Sequence, residues 1–91
     1  MKRYVIERDL PGVGNMNRDE LKGAAATSNK ALAKLAGKVE WEHSYVTGDK
    51  TFCVYRAENE AVVQEHAKLS GFPANTITEV RTIINPMTEA A

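Results

Sequence analysis

The segment from Trp41 to Tyr55 restricts the fold more than any other part of the chain, because it has the pattern of a β-hairpin. Gly48 and Asp49 are a signal for a tight turn, since glycine adopts the positive φ that a two-residue hairpin loop requires. β-branched and aromatic residues flank this turn on both sides. The segment also holds the only Trp, the only Cys, one of two His and two of three Tyr. A chemical site is therefore predicted to draw on this hairpin.

The remaining elements can be placed around the hairpin from apolar spacing and from turn and capping residues. In chain order we predict a strand over 2–8, a helix that begins at Asn15 or Asn17 and ends before Gly37, hairpin strands over 39–47 and 50–57, a helix over 59–70, and a strand over 76–84. This βαββαβ order predicts an α+β, ferredoxin-like fold with two helices on one face of a four-stranded antiparallel sheet. Residues 1–91 are expected to form one domain, with 87–91 as a flexible tail.

Charge and length exclude several classes of function. Twelve basic and twelve acidic residues give a net charge of zero, so bulk charge does not attract nucleic acid or anionic lipid. No apolar run approaches the roughly 20 residues that span a bilayer. A single Cys excludes an internal disulfide, and the chain enters its first strand without an apolar signal region. We expect a cytoplasmic protein with neither a nucleic-acid nor a membrane partner.

The second face of such a sheet has no helices to cover it. Many proteins of this architecture bury that face by dimerising sheet to sheet, as a dimeric α+β barrel, and the cavity between the sheets becomes a site. By analogy we expect a homodimer.

Strand alternation sorts the hairpin side chains between the two faces. A two-residue loop pairs Tyr45 with Phe52 and Ser44 with Cys53, so Trp41, His43 and Tyr45 lie on one side together with Phe52 and Val54. This more apolar side is expected beneath the helices. The opposite side carries Ser44, Thr51, Cys53 and Tyr55. A one-residue bulge would instead bring His43 to the side of Cys53, and bulges are common beside functional sites.

Two further candidates lie outside the hairpin. Glu7 is opposite Tyr4 and Ile6 in the first strand, and the open face is the better environment for its carboxylate. His66 falls on the inner stripe of the second helix, so that it would approach His43 if His43 pointed towards the helices.

A transition-metal site is the most specific hypothesis for these residues. His43, His66 and Cys53 offer imidazole and thiolate donors, and oxygen would come from Glu7, Tyr55 or Glu79. That mixture suits nickel, zinc or copper better than calcium or magnesium. The chain has no CxxC or HExxH motif. The alternative is that both histidines are hydrogen-bonded and partly buried.

Two other functions compete with metal binding. Trp41, Tyr45 and Tyr55 would line a pocket for an aromatic organic ligand in an enzyme or carrier of the dimeric barrel type, or else serve as core and interface residues. Cys53 could be a nucleophile or a small buried residue. A catalytic Cys needs a base or a cationic neighbour to lower its pKa, and none is evident, so the buried role is favoured. A purely structural dimerisation module is the third reading. We expect a binding protein rather than an enzyme.

The chain also resembles a known family over its length from Arg3 to Pro86. The segments that carry the resemblance are Tyr4 to Arg8 with Leu10-Pro11, Val39 to Val46, Asp49 to Tyr55, Gly71 to Ala74, and Ile77 to Val80. They are similar to small bacterial ferredoxin-like proteins of unknown function, among which a nickel-binding member is known. The resemblance implies a homodimer and nickel binding, and it implies no catalytic activity. The positions that match the shared pattern are Glu7, His43, Ser44, Tyr45, Cys53 and Tyr55.

One departure from the family pattern concerns charge. The chain reads Arg56-Ala57-Glu58-Asn59 where the family has an acidic residue followed by Ala-Pro, and Arg56 would disfavour a cation nearby. We nevertheless predict a divalent metal, nickel above others, bound by His43 as the principal donor and His66 as a second. Cys53 and Glu7 would be accessory ligands or partners that orient the histidines.

Overall fold

The computed structural model describes residues 1–90 and contains the predicted elements in the predicted order. They are β1 (Lys2–Asp9), α1 (Arg18–Ala33), β2 (Val39–Val46), β3 (Lys50–Ala57), α2 (Glu60–Ser70) and β4 (Thr76–Val80), with short 3-10 helices at Val13–Asn15 and Pro86–Ala90. The strands form one antiparallel sheet in the order β2-β3-β1-β4. The ferredoxin-like α+β fold is therefore confirmed. In residues 1–90 no helix is long and apolar enough to cross a membrane.

Local side-chain chemistry fixes the ends of the helices. Asn17 caps α1 in a reciprocal capping box, since its Oδ1 accepts a hydrogen bond from Glu20 N at 2.8 Å and its N donates to Glu20 Oε1 at 3.2 Å. Asn59 caps α2 through a single bond, since its Oδ1 accepts from Val62 N at 3.0 Å. Gly71 ends α2 with a φ of 78°, a conformation that glycine adopts without a steric penalty.

The last strand is shorter than predicted. Its residue Val80 pairs with Arg3, and β1 begins one residue earlier, at Lys2. The chain beyond Val80 has therefore passed the end of its partner strand, so the β-branched residues up to Ile84 have nothing to pair with. Ile83 and Ile84 are exposed instead.

The hairpin has the predicted register but the opposite orientation. Tyr45 pairs with Phe52 and Ser44 with Cys53, as expected. However, Cys53 and Tyr55 are buried beneath the helices, whereas Tyr45 is 61% exposed on the other side. The predicted faces were therefore wrong for these residues, although Trp41 does lie beneath the helices as expected.

The pairing of β1 with β3 explains this reversal. Cys53 lies directly across from Ile6, and Tyr55 lies across from Tyr4. Residues paired across neighbouring strands share a face. Because Ile6 is fully buried in the core, its partner Cys53 is carried to the helix side with it. We call the opposite side the open face; it carries Arg3, Val5, Glu7, Glu42, His43, Tyr45, Phe52, Val54, Arg56, Thr78 and Val80.

A β-bulge interrupts β2 at Glu42. Trp41 pairs with Tyr55, and His43 pairs with Val54, so that Glu42 is the extra residue between them. The bulge turns Trp41 to the helix side, where it packs against the core. His43 lies on the open face, and Cys53 lies on the helix side. The bulge therefore does not bring His43 to the side of Cys53, as the bulged alternative predicted.

Candidate functional site

The predicted metal ligands are divided between the two sides of the sheet. His43 and Glu7 lie on the open face, whereas His66 and Cys53 are buried on the helix side. The expected approach of the two histidines is therefore wrong. Within residues 1–90 no group of three or more His, Cys, Asp or Glu side chains is placed to hold one metal ion. Glu79 lies across from Tyr4 and forms an ion pair with Lys2 at 3.4 Å.

The surroundings of His43 are exposed and mixed in charge. Its ring meets the ring of Tyr45 edge to face, with the centroids 5.0 Å apart. The neighbouring Glu42 carboxylate accepts a hydrogen bond from Arg3 at 2.8 Å, and this bond is the main reason that the pKa of Glu42 is lowered. Arg56 lies 3.8 Å from the same carboxylate. The charges next to His43 are thus largely paired with each other.

Glu7 is also engaged on this face. Its carboxylate oxygen lies 2.7 Å from Lys50 Nζ across the neighbouring strand. The hydrogen bond to Glu7 is the main reason that the pKa of Lys50 is raised. Glu7 is available to a metal ion only if it leaves this ion pair.

His66 has the character of a structural residue. Its side chain is fully buried, and its Nε2 lies 3.2 Å from Ser28 Oγ on α1. The Tyr55 ring lies 4.9 Å away, centroid to centroid. Burial lowers the pKa of His66, so the neutral imidazole is favoured. Its Nδ1 has no hydrogen-bond partner among the described residues.

A cavity of about 650 Å³ lies on the helix side, between α1, the β1–α1 loop and the sheet. We call it the inner cavity; its lining includes Arg8, Leu10, Val13, Met16, Leu21, Ala24, Ala25, Ser28, Trp41, Ser44, Cys53, Tyr55 and Phe72. Trp41 and Tyr55 stack on one wall with their centroids 6.4 Å apart. These two predicted ligand-binding aromatics are thus brought together, while Tyr45 is on the other side of the sheet. The space they line is inside one chain, not between two sheets as expected.

Tyr55 and Cys53 are both sequestered from solvent in this region. Burial is the main cause that raises the pKa of the Tyr55 phenol, and a hydrogen bond with Ser28 Oγ at 3.3 Å partly opposes it. Cys53 Sγ lies 3.5 Å from Thr51 Oγ1, its hydrogen-bond partner. This is the environment of a small buried residue, the alternative to a nucleophile.

Sequence reasoning missed Arg8. Its side chain is only 2% exposed, and its Nη1 donates to the carbonyl oxygen of Pro73 at 2.7 Å. The guanidinium lies 6.0 Å from the ring centroid of Tyr55 and 5.9 Å from that of Phe72. Strand alternation contained the signal, because Arg8 follows Tyr4 and Ile6 at two-residue spacing and so had to share their buried face.

Comparisons with known proteins identify a family from the sequence and a solved structure that has the same fold. The family model "Nickel responsive protein SCO4226-like" matches residues 4–80. Among solved structures, the chain is similar to SCO4226 from Streptomyces coelicolor A3(2), with a TM-score of 0.74 and 16% sequence identity. That alignment covers 90% of this chain and 99% of the Streptomyces chain. No curated protein matches the sequence.

Proposed function

This chain belongs to the SCO4226-like family of nickel-responsive proteins, and on that premise we propose that it binds nickel(II) through His43 on the open face. The observation that carries the proposal is the contrast between the two histidines. His43 is exposed, whereas His66 is fully buried and hydrogen-bonded to Ser28. A metal ion from solvent reaches the first imidazole and not the second, and imidazole is a preferred nitrogen donor for nickel.

The remaining donors are expected from a second copy of the chain and from water. One chain does not place three ligating side chains together within residues 1–90. An ion shared by His43 with Cys53 or His66 would have to bridge the two sides of the sheet. A two-fold interface places the same side chains of two copies near each other, so a site incomplete in one chain is completed in the pair.

Exposed apolar side chains support a homodimer. Tyr45 on the open face is 61% exposed, and Ile84 and Met87 of the C-terminal segment are 75% and 74% exposed. Val5, Phe52 and Val54 form a half-buried apolar band across the middle of the open face. Exposed apolar surface of this kind favours association, and the net charge of zero imposes no overall repulsion between two copies.

The charge on Arg56 does not rule out a bound cation. Its guanidinium lies 3.8 Å from Glu40 and 3.8 Å from Glu42, so two carboxylates offset it. Opening of the Arg3–Glu42 pair would release an oxygen donor adjacent to His43 in sequence. Glu7 would become a further oxygen ligand only after its ion pair with Lys50 breaks.

Native mass spectrometry of metal-free protein with added nickel tests the proposal. We expect a dimer that takes up nickel saturably, and a monomer fraction that does not. His43→Ala should abolish this uptake, and Cys53→Ala, on the helix side, serves as the matched control that retains it. Saturable uptake by His43→Ala would place nickel elsewhere. A dimer that takes up no nickel would favour a structural dimerisation module.

A further inference from the structure

We propose that the inner cavity binds a small organic monocarboxylate with an apolar body, and that Arg8 pairs with its carboxylate. This site is on the opposite side of the sheet from His43. It requires no metal ion.

The buried charge of Arg8 is the first argument. Arg8 is 2% exposed, and its Nη1 is directed to the carbonyls of Phe72 and Pro73. Its Nη2 has no partner among the described residues, and no carboxylate within residues 1–90 forms an ion pair with it. A buried guanidinium without a counter-charge is costly. An anion in the cavity would provide the missing partner.

The size and walls of the cavity are the second argument. Its volume of about 650 Å³ lies within the range of sites for small organic molecules. One wall is the face of α1 with Leu21, Ala24 and Ala25, and the small side chains of the two alanines leave the space open. The opposite wall is the stacked pair Trp41 and Tyr55. An apolar or aromatic body between these walls would remove their surface from water.

The polar groups select one negative charge. Arg8 presents one unpartnered nitrogen, and a charge-assisted hydrogen bond to a carboxylate oxygen satisfies it. Ser44 Oγ accepts a hydrogen bond from Trp41 Nε1 at 2.9 Å, which leaves its own hydroxyl hydrogen to donate to a ligand. Glu20 also lines the cavity and would repel a second negative charge. These groups favour a monocarboxylate over a phosphate ester.

Fluorescence of Trp41 provides a direct test, because it is the only Trp of the chain. The probes are 3-phenylpropionate and its neutral amide, added to protein treated with a chelator. We expect saturable changes with the carboxylate and binding at least about tenfold weaker with the amide, as loss of a charge-assisted hydrogen bond in a buried site implies. Equal binding of the two probes, or no binding of either, would overturn the proposal.

Variants distinguish the role of Arg8 in carboxylate recognition from any role in folding. Arg8→Met should lose the preference for the carboxylate over the amide, while the control Arg81→Met keeps it. Ala25→Phe should block both probes by filling the cavity without touching Arg8. Amide-resonance mapping by NMR checks the location, since shifts confined to the open face would contradict the proposal. Nickel binding should be unchanged by Arg8→Met, so the two proposals fail independently.

Discussion

His66 on α2 and Ser28 on α1 meet beneath the sheet, where the imidazole Nε2 lies 3.2 Å from the serine hydroxyl oxygen. Ser28 Oγ also lies 3.3 Å from the Tyr55 hydroxyl, so the two helices and β3 are joined by one buried polar group. Hydrogen bonds between buried polar groups of different elements restrict how those elements pack, although His66 Nδ1 has no partner among the described residues. The contacts of His66 give it a structural role, which is why we propose His43 and not His66 as the nickel ligand.

The His66–Ser28 contact should contribute to the stability of the fold. His66→Ala removes a fully buried ring and leaves Ser28 without one of its partners. We expect a loss of about 2–4 kcal/mol in the free energy of unfolding, as for other large-to-small changes in a core. Urea denaturation measures it. His43→Ala, the matched control on the exposed imidazole, should change stability by less than about 0.5 kcal/mol. Equal effects of the two substitutions would contradict the assignment.

Stability should also depend on pH through His66. Burial, aided by the positive charge of Arg8, lowers the pKa of His66 below its ordinary value of 6.5. In the unfolded chain the imidazole takes up a proton at about pH 6.5, whereas in the folded protein it stays neutral to lower pH. The stabilisation is therefore full above about pH 6.5 and is lost as the pH falls towards the folded-state pKa, with a slope of up to about 1.4 kcal/mol per pH unit.

Urea denaturation at a series of pH values from 7.5 down to 5 checks this dependence. His66→Gln removes the titrating group, and the slope should shrink in that variant. A wild-type slope that persists unchanged in His66→Gln would assign the pH dependence to the carboxylates instead.

Alanine substitutions at two glycines should change the stability of the protein in opposite directions. A Cβ on Gly14 would lie 2.7 Å from Thr47 O and 2.8 Å from Gly48 Cα, so Gly14→Ala forces the β1–α1 loop away from the hairpin turn. We expect destabilisation of about 1–3 kcal/mol, as for other overpacked sites. Gly23 in the middle of α1 has open space around its Cα, and Gly23→Ala should stabilise by about 1 kcal/mol through helix propensity. Thermal unfolding distinguishes the two signs, and destabilisation by both would contradict the packing described.

Arg56 should weaken nickel binding by its charge alone. For a divalent ion about 8 Å from one positive charge in water, the repulsion is about 1 kcal/mol before screening by salt. Arg56→Gln should therefore tighten nickel binding about two- to fivefold at low salt, and the gain should fade at high salt. Calorimetric titration measures it, with Arg81→Gln as the control. Unchanged affinity in Arg56→Gln at low salt would place the ion away from this part of the open face.

The order of the elements could be predicted from sequence because each signal is local. Asn17 and Asn59 as caps, Gly71 as a helix end and the turn after Thr47 act through neighbouring residues. The turn forms where it was predicted, but Gly48 does not adopt the positive φ expected of it. The faces of the hairpin could not be predicted in the same way. They depend on the long-range register that places Ile6 across from Cys53 and on the bulge at Glu42. When a strand presents its other side to the helices, every candidate ligand on that strand moves to the opposite face of the sheet.

The positions of the candidate site residues also depend on long-range strand pairing, which the sequence pattern does not reveal. Trp41 and Tyr55 of the hairpin lie together on one wall of the inner cavity, whereas Tyr45, grouped with them from sequence, lies on the other side of the sheet. The separation of His43 from His66 followed from tertiary pairing, which residue types do not encode. Arg8 was missed because a charged residue at the end of a strand suggests solvent, although its two-residue spacing from Ile6 indicated burial.

The most direct test of nickel binding at the exposed imidazole is a titration of metal-free protein with nickel(II), followed by NMR of the histidine ring protons. The chain has two histidines, so each ring is assigned by comparison with His43→Ala. Nickel(II) in its paramagnetic form broadens the nearest ring signals first. If nickel binds at His43, the His43 signals will broaden at the lowest nickel concentrations while those of His66 persist. Broadening of His66 first, or of neither ring, would contradict it.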